Sequence, residues 1–288
     1  MNIGIIGLGL IGGSLAKATR RFTTHQILVW NRTEATAKKA LQENAADGIL
    51  DAQADFAKLD LMLLALYPEA TIDFVRSHLH ELKPGAVIVD TCGTKTLVCH
   101  ECQKLVASRP EITFIGGHPM AGIEQSGYDA SRAELFVRAS MLLVPPPEVP
   151  PEKLRLVQEF FLSLGFGAIK LTTAETHDRV IAYTSQLAHL VASAYIKSPT
   201  ALKHPGFSAG SFRDMTRVAF LQESMWTELF LENQAFLLPE LDQLLKNLND
   251  FRNALTSKDK DMLLQLLRDG KERKTQVNNL PEEPYSPF

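Results

Sequence analysis

The sequence predicts an α/β fold, a doubly wound and mostly parallel sheet followed by an all-helical region, and three observations carry that expectation. The first half alternates short apolar runs with helix-patterned stretches, as parallel strands covered by helices on both faces require. The first such run, Ile3-Gly4-Ile5-Ile6, leads directly into Gly7-Leu8-Gly9-Leu10-Ile11-Gly12. From Thr172 onward the β signal fades and long periodic helical segments take over. A G-x-G-x-x-G segment between a buried strand and a helix lets the chain turn tightly and brings bare backbone against a pyrophosphate at the helix N-terminus. The sheet is therefore expected to be Rossmann-type, with a dinucleotide held at Gly7, Leu8, Gly9, Leu10, Ile11 and Gly12.

Taken in order, strands are expected at Asn2–Ile6, Gln26–Trp30, Leu61–Ala65, Ala86–Val89, Thr113–Ile115, Ser140–Val144 and Ala168–Lys170. Glycine or proline punctuates most of them: Lys83-Pro84-Gly85 turns the chain into the strand that ends at Asp90. Pro145-Pro146-Pro147 with Pro150-Pro151 imitates a domain linker. A helix over Glu152–Leu164 and another strand follow it, so the sheet is expected to continue to about residue 171. The dinucleotide-binding domain is accordingly placed at 1–171 and a helical domain at 172–288. Helices are expected from Ala174 through Ala194, over Phe220–Leu238 and over Glu240–Leu255. Their apolar density suits packing on two sides, the second side being a homodimer interface. Residues 281–288 read as a mobile tail.

Composition narrows the function. A chain of 288 residues, 45% hydrophobic and 22% charged with a net charge of -3, is that of a soluble globular protein. Neither nucleic acid nor a membrane surface is expected as partner. No apolar run reaches the length of a spanning helix, and the N-terminus is a core strand with no basic leader, which predicts a cytoplasmic protein. Cys99-His100-Glu101-Cys102 imitates a metal or redox pair, but a structural zinc needs a second pair and the third cysteine, Cys92, cannot supply one. No metal is expected.

In dinucleotide folds an acidic residue at the end of the second strand accepts hydrogen bonds from the ribose 2'-hydroxyl and repels a 2'-phosphate. Here that strand ends Trp30-Asn31-Arg32-Thr33. Asn31 is neutral, Arg32 suits a phosphate and the adenine face, and Thr33 offers a hydroxyl, so NADP is expected over NAD.

Beyond the cofactor, Gly116-Gly117-His118-Pro119-Met120-Ala121-Gly122 follows a strand at the carboxyl edge of the sheet, where the ligands of open sheets bind. A histidine there can take a proton from an alcohol while hydride leaves the same carbon. With this segment the chain resembles, over essentially its full length, the TyrA family, the prephenate and arogenate dehydrogenases of tyrosine biosynthesis. The resemblance rests on Gly7–Ser14, on Asp90-Thr91-Cys92-Gly93-Thr94-Lys95, and on Gly117–Gly122 with Glu124 and Ser126-Gly127. It continues through Thr184-Ser185-Gln186-Leu187-Ala188-His189 and Gly210-Ser211-Phe212-Arg213-Asp214-Met215-Thr216-Arg217-Val218-Ala219.

The resemblance implies oxidative decarboxylation of prephenate to 4-hydroxyphenylpyruvate, or of arogenate to tyrosine, with hydride passed to the nicotinamide. It implies His118 as the base that takes the proton of the ring hydroxyl and Arg217 as the ligand of a substrate carboxylate. It further implies His189 as a substrate contact, and Glu124 and Asp214 as acids that shape or gate the pocket and orient the arginine. Read without it, Asp214 and Arg217 are three residues apart and could be a surface helix pair, and His189 a core histidine. Between the two substrates, prephenate is favoured; an acid facing the amine of arogenate, Glu124 or Asp129, would favour the other.

The sequence also departs from the family pattern. A serine that helps position the catalytic histidine is Gly93 here, leaving Thr94, Thr91 or a water as substitutes, and the S-H-L-P-H segment carries Gln186 and Ala188. From its length the chain is expected to lack the regulatory domain that some family members carry after the helical region, so that any feedback by tyrosine would have to act at the active site. The competing expectations are another NADP-linked enzyme, such as a beta-hydroxyacid dehydrogenase or pyrroline carboxylate reductase, and a non-catalytic NADP-binding sensor. The first lacks the G-G-H-P-M-A-G segment, and the second gives no reason to hold His118, His189 and Arg217 together.

Overall fold

Five-residue apolar runs such as Asn2–Ile6 (β1) are too short for a helix and too buried for a loop, and they assemble here into one eight-stranded sheet. The computed structural model describes residues 1–51 and 53–280, so the tail at 281–288 lies outside the described residues. The other strands are Gln26–Trp30 (β2), Gly48–Ile49 (β3), Leu61–Leu64 (β4), Val87–Asp90 (β5), Thr113–Pro119 (β6), Ser140–Val144 (β7) and Ala168–Leu171 (β8). The order is β3-β2-β1-β4-β5-β6-β7-β8. Pairing is parallel throughout except between β6 and β7. Chain order reverses between β1 and β4, and a crevice opens at such a point beyond the carboxyl ends of the strands.

Alternate residues of each strand supply opposite faces. Ile3, Ile5, Leu61, Leu63, Val87 and Val89 pack with the buried residues of Leu10–Phe22 (α1) and Pro151–Ser163 (α6), among them Leu15, Val157 and Phe161. Ile6, Met62, Leu64 and Ile88 turn the other way, toward Ile72 and Val75 of Pro68–His78 (α4) and Val98 of Thr96–Val106 (α5). Glu34–Gln42 (α2) and the short Gln53–Phe56 (α3) complete this half. Cys92, Cys99 and Cys102 are buried free thiols in the second layer, and burial pushes the Cys99 thiol up to about 12.

Among the described residues the elements after β8 are helical, chiefly Ala174–Ile181 (α7), a π-helical stretch at Ala182–Leu187, Ala188–Tyr195 (α8), Gly210–Thr216 (α9), Glu223–Glu232 (α10), Gln234–Ser257 (α11) and Lys260–Asn278 (α12). Their common core is small, centred on Ala182, Leu187 and Leu237. Large apolar side chains remain outside it: Phe207 is 93% and Phe220 86% exposed. No helix among the described residues is long and apolar enough to cross a membrane.

All the expected strands form, and the differences lie elsewhere. The two-residue β3 is additional. The expected Ala174–Ala194 helix is broken by the π-helical turn, the Phe220–Leu238 helix is shorter and separate from α11, and α12 was not anticipated. The most consequential difference is β6. Gly116 to Pro119 do not form a loop after the strand; they extend it, leaving β5 after Ile115 and running antiparallel to Met141–Val144 of β7.

Candidate active site

The glycine turn is built as its spacing requires. Gly7 has φ +88°, and a β-carbon there would lie 2.5 Å from the carbonyl oxygen of Ala65 on the neighbouring strand end. A β-carbon on Gly12 would run into the carbonyl oxygen of Gly7, whereas at Gly9 it would meet nothing within 4 Å. The turn is thus closed on the protein side and open outward at Gly9. Gly9 caps α1 with no side-chain hydrogen bond, and the first turn carries no acid, so the free amides of Leu10, Ile11 and Gly12 keep their attraction for an anion. These residues fit the pyrophosphate of a dinucleotide. The Leu8 amide is already committed, donating to Asn31 Oδ1 at 2.8 Å, while Asn31 Nδ2 donates to the Thr33 carbonyl at 3.1 Å. Asn31 therefore ties the strand end to the glycine turn. Arg32 and Thr33 are exposed beside it, and the Thr33 hydroxyl makes no cap to α2.

His118 sits on β6 opposite Leu142, held by the residue before it. The amide of Gly117 donates to Asp90 Oδ1 at 3.0 Å, and its carbonyl accepts from Lys95 Nζ at 2.7 Å. Asp90 and Lys95 pair with each other, and neither side chain is exposed at all. Burial alone would lower the Lys95 ammonium, but Asp90 beside it more than compensates and raises it. Glycine is required at 117, because a β-carbon would lie 2.5 Å from the Asp90 carbonyl oxygen; at Gly116 it would lie 2.5 Å from Cys99 Sγ. The motif residues Asp90, Lys95 and Gly117 thus form one buried clamp on the backbone leading into His118.

The His118 ring makes one protein hydrogen bond among the described residues, from Nδ1 to Nε2 of His177 at 2.9 Å. His177 Nδ1 in turn lies 2.7 Å from Asp178 Oδ1. Neither Thr91 nor Thr94 takes the place of the family serine: Thr91 donates to the Leu64 carbonyl, and Thr94 donates to Glu232 Oε2 at 2.6 Å. Burial lifts the Glu232 carboxyl to about 7. Burial, reinforced by His177 and Lys95, holds His118 well below the usual imidazole range, with Asp178 pulling the other way. His118 is neutral at pH 7 and able to accept a proton.

The remaining candidates come from both halves of the chain. Arg217, at the end of α9, pairs with Glu124 from the segment after β6 at 2.7 Å, with both side chains largely in solvent. Asp214 is exposed on α9 and makes no ion pair to Arg217 among the described residues, contrary to the expectation that it orients the arginine; Glu124 does so alone. His189 on α8 points Nδ1 at the Ser185 carbonyl, 2.8 Å away, and stacks on Trp226 with ring centroids 4.1 Å apart. Burial lowers the His189 pKa, and the Arg217 charge adds to that effect. Sequence reasoning missed His177, Asp178 and Trp226. The only signal for the first two was an adjacent His-Asp pair on a helix whose periodicity made His177 look like core.

The chain is similar to known proteins over most of its length. The family model described as prephenate dehydrogenase, nucleotide-binding domain, matches residues 15–170, and that for the prephenate dehydrogenase dimerization domain matches residues 173–269. The chain is 35% identical over 274 residues to a cyclohexadienyl dehydrogenase of Zymomonas mobilis, covering 92% of each protein. A crystal structure of Aquifex aeolicus prephenate dehydrogenase with hydroxyphenyl propionate and NAD+ superposes with a TM-score of 0.84 at 25% identity, over 96% of this chain and 98% of that one. The Synechocystis arogenate dehydrogenase gives a TM-score of 0.80 at 27% identity, over 96% of this chain and all of that one.

Proposed function

The chain belongs to the prephenate dehydrogenase family, and from that premise we propose that it converts prephenate to 4-hydroxyphenylpyruvate and CO2 with NADP as hydride acceptor, a step toward tyrosine. The observation that carries this reading is His118, a neutral imidazole with Nδ1 engaged inside the protein and Nε2 without a protein partner among the described residues. Nε2 takes the proton of the ring hydroxyl as general base. The nicotinamide of the bound dinucleotide supplies the hydride acceptor. As hydride leaves the hydroxyl-bearing carbon, the electron pair of the ring-carboxylate bond moves into the ring, CO2 departs, and the phenolate recovers the proton from His118. Aromatisation drives the reaction, so the protein's task is to orient the ring and move one proton.

Arg217 receives a substrate carboxylate in place of Glu124, for which a guanidinium fork is suited, and His189 borders the same ligand. Asp214 stays on the surface in this reading. Gly9, Leu10, Ile11 and Gly12 carry the pyrophosphate, Gly7 and Asn31 shape the turn, and Arg32 with Thr33 takes the 2'-phosphate. The exposed Phe207 and Phe220 and the thin helical core support a homodimer through the helical half, 172–288, with 1–171 as the cofactor domain. With this goes the expectation of a cytoplasmic enzyme.

Purified protein assayed with prephenate and with arogenate, each with NADP and NAD, tests the reading through nicotinamide absorbance and CO2 release. The specificity constant should be higher for NADP than for NAD, and higher for prephenate than for arogenate; the reverse in either pair overturns that part. His118→Asn should lower kcat by about 10^2-fold or more with dinucleotide binding intact. A near-normal kcat would remove His118 from the chemistry.

A further inference from the structure

A base is useful only if its free nitrogen carries the lone pair, and neutral histidine has two tautomers. The surroundings of His118 contain a chain of groups that selects one of them. It begins at Asp178, a buried side chain on α7. Its Oδ1 accepts the Lys95 amide and its Oδ2 the Thr96 amide, each at 2.7 Å. These amides belong to the N-terminus of α5, which has no side-chain cap of its own and no acid in its first turn. Asp178 therefore caps α5 from another part of the chain, where the helix dipole favours a carboxylate. Burial works against its ionisation, yet the hydrogen bonds from His177 and Thr96 keep the carboxyl below its ordinary range.

An ionised carboxylate only accepts, so the proton between it and His177 lies on His177 Nδ1. With one ring proton, placed at Nδ1, His177 presents a lone pair at Nε2. The bond at 2.9 Å requires the donor to be His118 Nδ1, which leaves the lone pair of His118 at Nε2. We infer that His177 and Asp178 are positioning residues that fix His118 in the tautomer protonated at Nδ1, so that the helical half sets the protonation geometry of a base carried by the sheet. This rests on the proposed role of His118 as base. The pair acts as the orienting carboxylate of a hydrolase triad does, with an imidazole interposed. The other charged groups facing His118 are Lys95 and, paired to it, Asp90. A second proton on His177 would reverse the His118–His177 bond and move the His118 proton onto Nε2, blocking the base.

The test reads the tautomer directly. In long-range 15N spectra of protein labelled at its eight histidines, with His118 identified by its loss in His118→Asn, the His118 signals should show protonated Nδ1 and unprotonated Nε2 at pH 7.5. Asp178→Asn places an amide donor toward His177 and should exchange the two signals. It should lower kcat by about 10^2-fold or more, by analogy with the triad aspartate, with KM for substrate and cofactor within about 3-fold and no recovery between pH 6 and 9. His177→Gln keeps an acceptor for His118 Nδ1 and should restore kcat to within about 10-fold of wild type, whereas His177→Leu should fall as far as Asp178→Asn. If Asp178→Asn does not fold, the wild-type spectrum and the Gln/Leu contrast decide. His118 protonated at Nε2 in the wild type, or equal kcat in the Gln and Leu variants, overturns the inference. The spectrum is independent of turnover, so a wrong assignment of the base would appear as an active His118→Asn protein while the wild-type spectrum still shows His118 protonated at Nδ1.

Discussion

Two ion pairs flank the proposed reaction site, and they are built in opposite ways. Lys95 and Asp90 are wholly buried and grip the backbone of Gly117 from both sides, whereas the side chains of Arg217 and Glu124 are 64% and 47% exposed. The inner pair lies wholly away from solvent; Asp90 also accepts the amides of Cys92 and Gly117, and Lys95 also donates to the Gly117 carbonyl. It is fixed structure. The outer pair has water at hand and loses little when the partners separate. A carboxylate arriving from solution can therefore take the place of Glu124 at the guanidinium, while no ligand could displace Asp90 from Lys95. In the proposed reading, the base is held where exchange is impossible, and the substrate is met where exchange is easy.

Three substitutions probe this contrast, from the largest effect to the smallest. Lys95→Met leaves Asp90 buried without its counter-ion and should destabilise the fold by about 3–5 kcal/mol, read as a lower urea midpoint. A loss below about 1 kcal/mol would mean that water reaches the clamp and that the two pairs are alike. Arg217→Ala should leave stability nearly unchanged and raise the substrate KM by about 10- to 100-fold, the range of a hydrogen bond to a charged group, with a smaller change in kcat. An unchanged KM would make the outer pair structural and dissolve the contrast from that side. Glu124→Gln should change KM by less than about 5-fold, as for an exposed pair. Its KM should also depend differently on ionic strength, since salt would no longer weaken a competing contact.

The sheet was legible because strands buried on both faces write themselves as apolar runs bounded by turns, and β1, β4 and β5 are of that kind. β3 was not, since two residues form no pattern. Gly116-Gly117-His118-Pro119 looked like a loop because glycine and proline usually mark one. Here the glycines exist because β6 passes too close to Asp90 and Cys99 for any side chain. The partner of His118 was hidden for a different reason. His177 lies 59 positions away, and its helical spacing says only that it faces inward. For Arg217, the sequence offered Asp214 at one helical turn, but a partner distant in sequence, Glu124, holds the guanidinium. Local spacing limits what can meet on one element and says nothing about what arrives from another. α12 escaped notice because its later residues, Asp269 to Lys274, are almost all charged and write no apolar stripe.

The six-residue π-helical stretch at Ala182–Leu187 separates the part of the helix that carries His177 and Asp178 from the part that carries His189. A wider turn of this kind accommodates one residue more than the α-helix it interrupts. Winding the same residues as a regular α-helix would instead rotate everything beyond by about 100°, the angle of one residue at 3.6 per turn. His189 would leave Trp226, while His177 and Asp178 stayed in place. The winding of this segment thus sets how the two ends of the helix face one another. A substitution that drives this segment into regular α-helix would separate His177 and Asp178 from His189 without altering any of the three, whereas deletion of one residue would leave a regular helix with both ends in register.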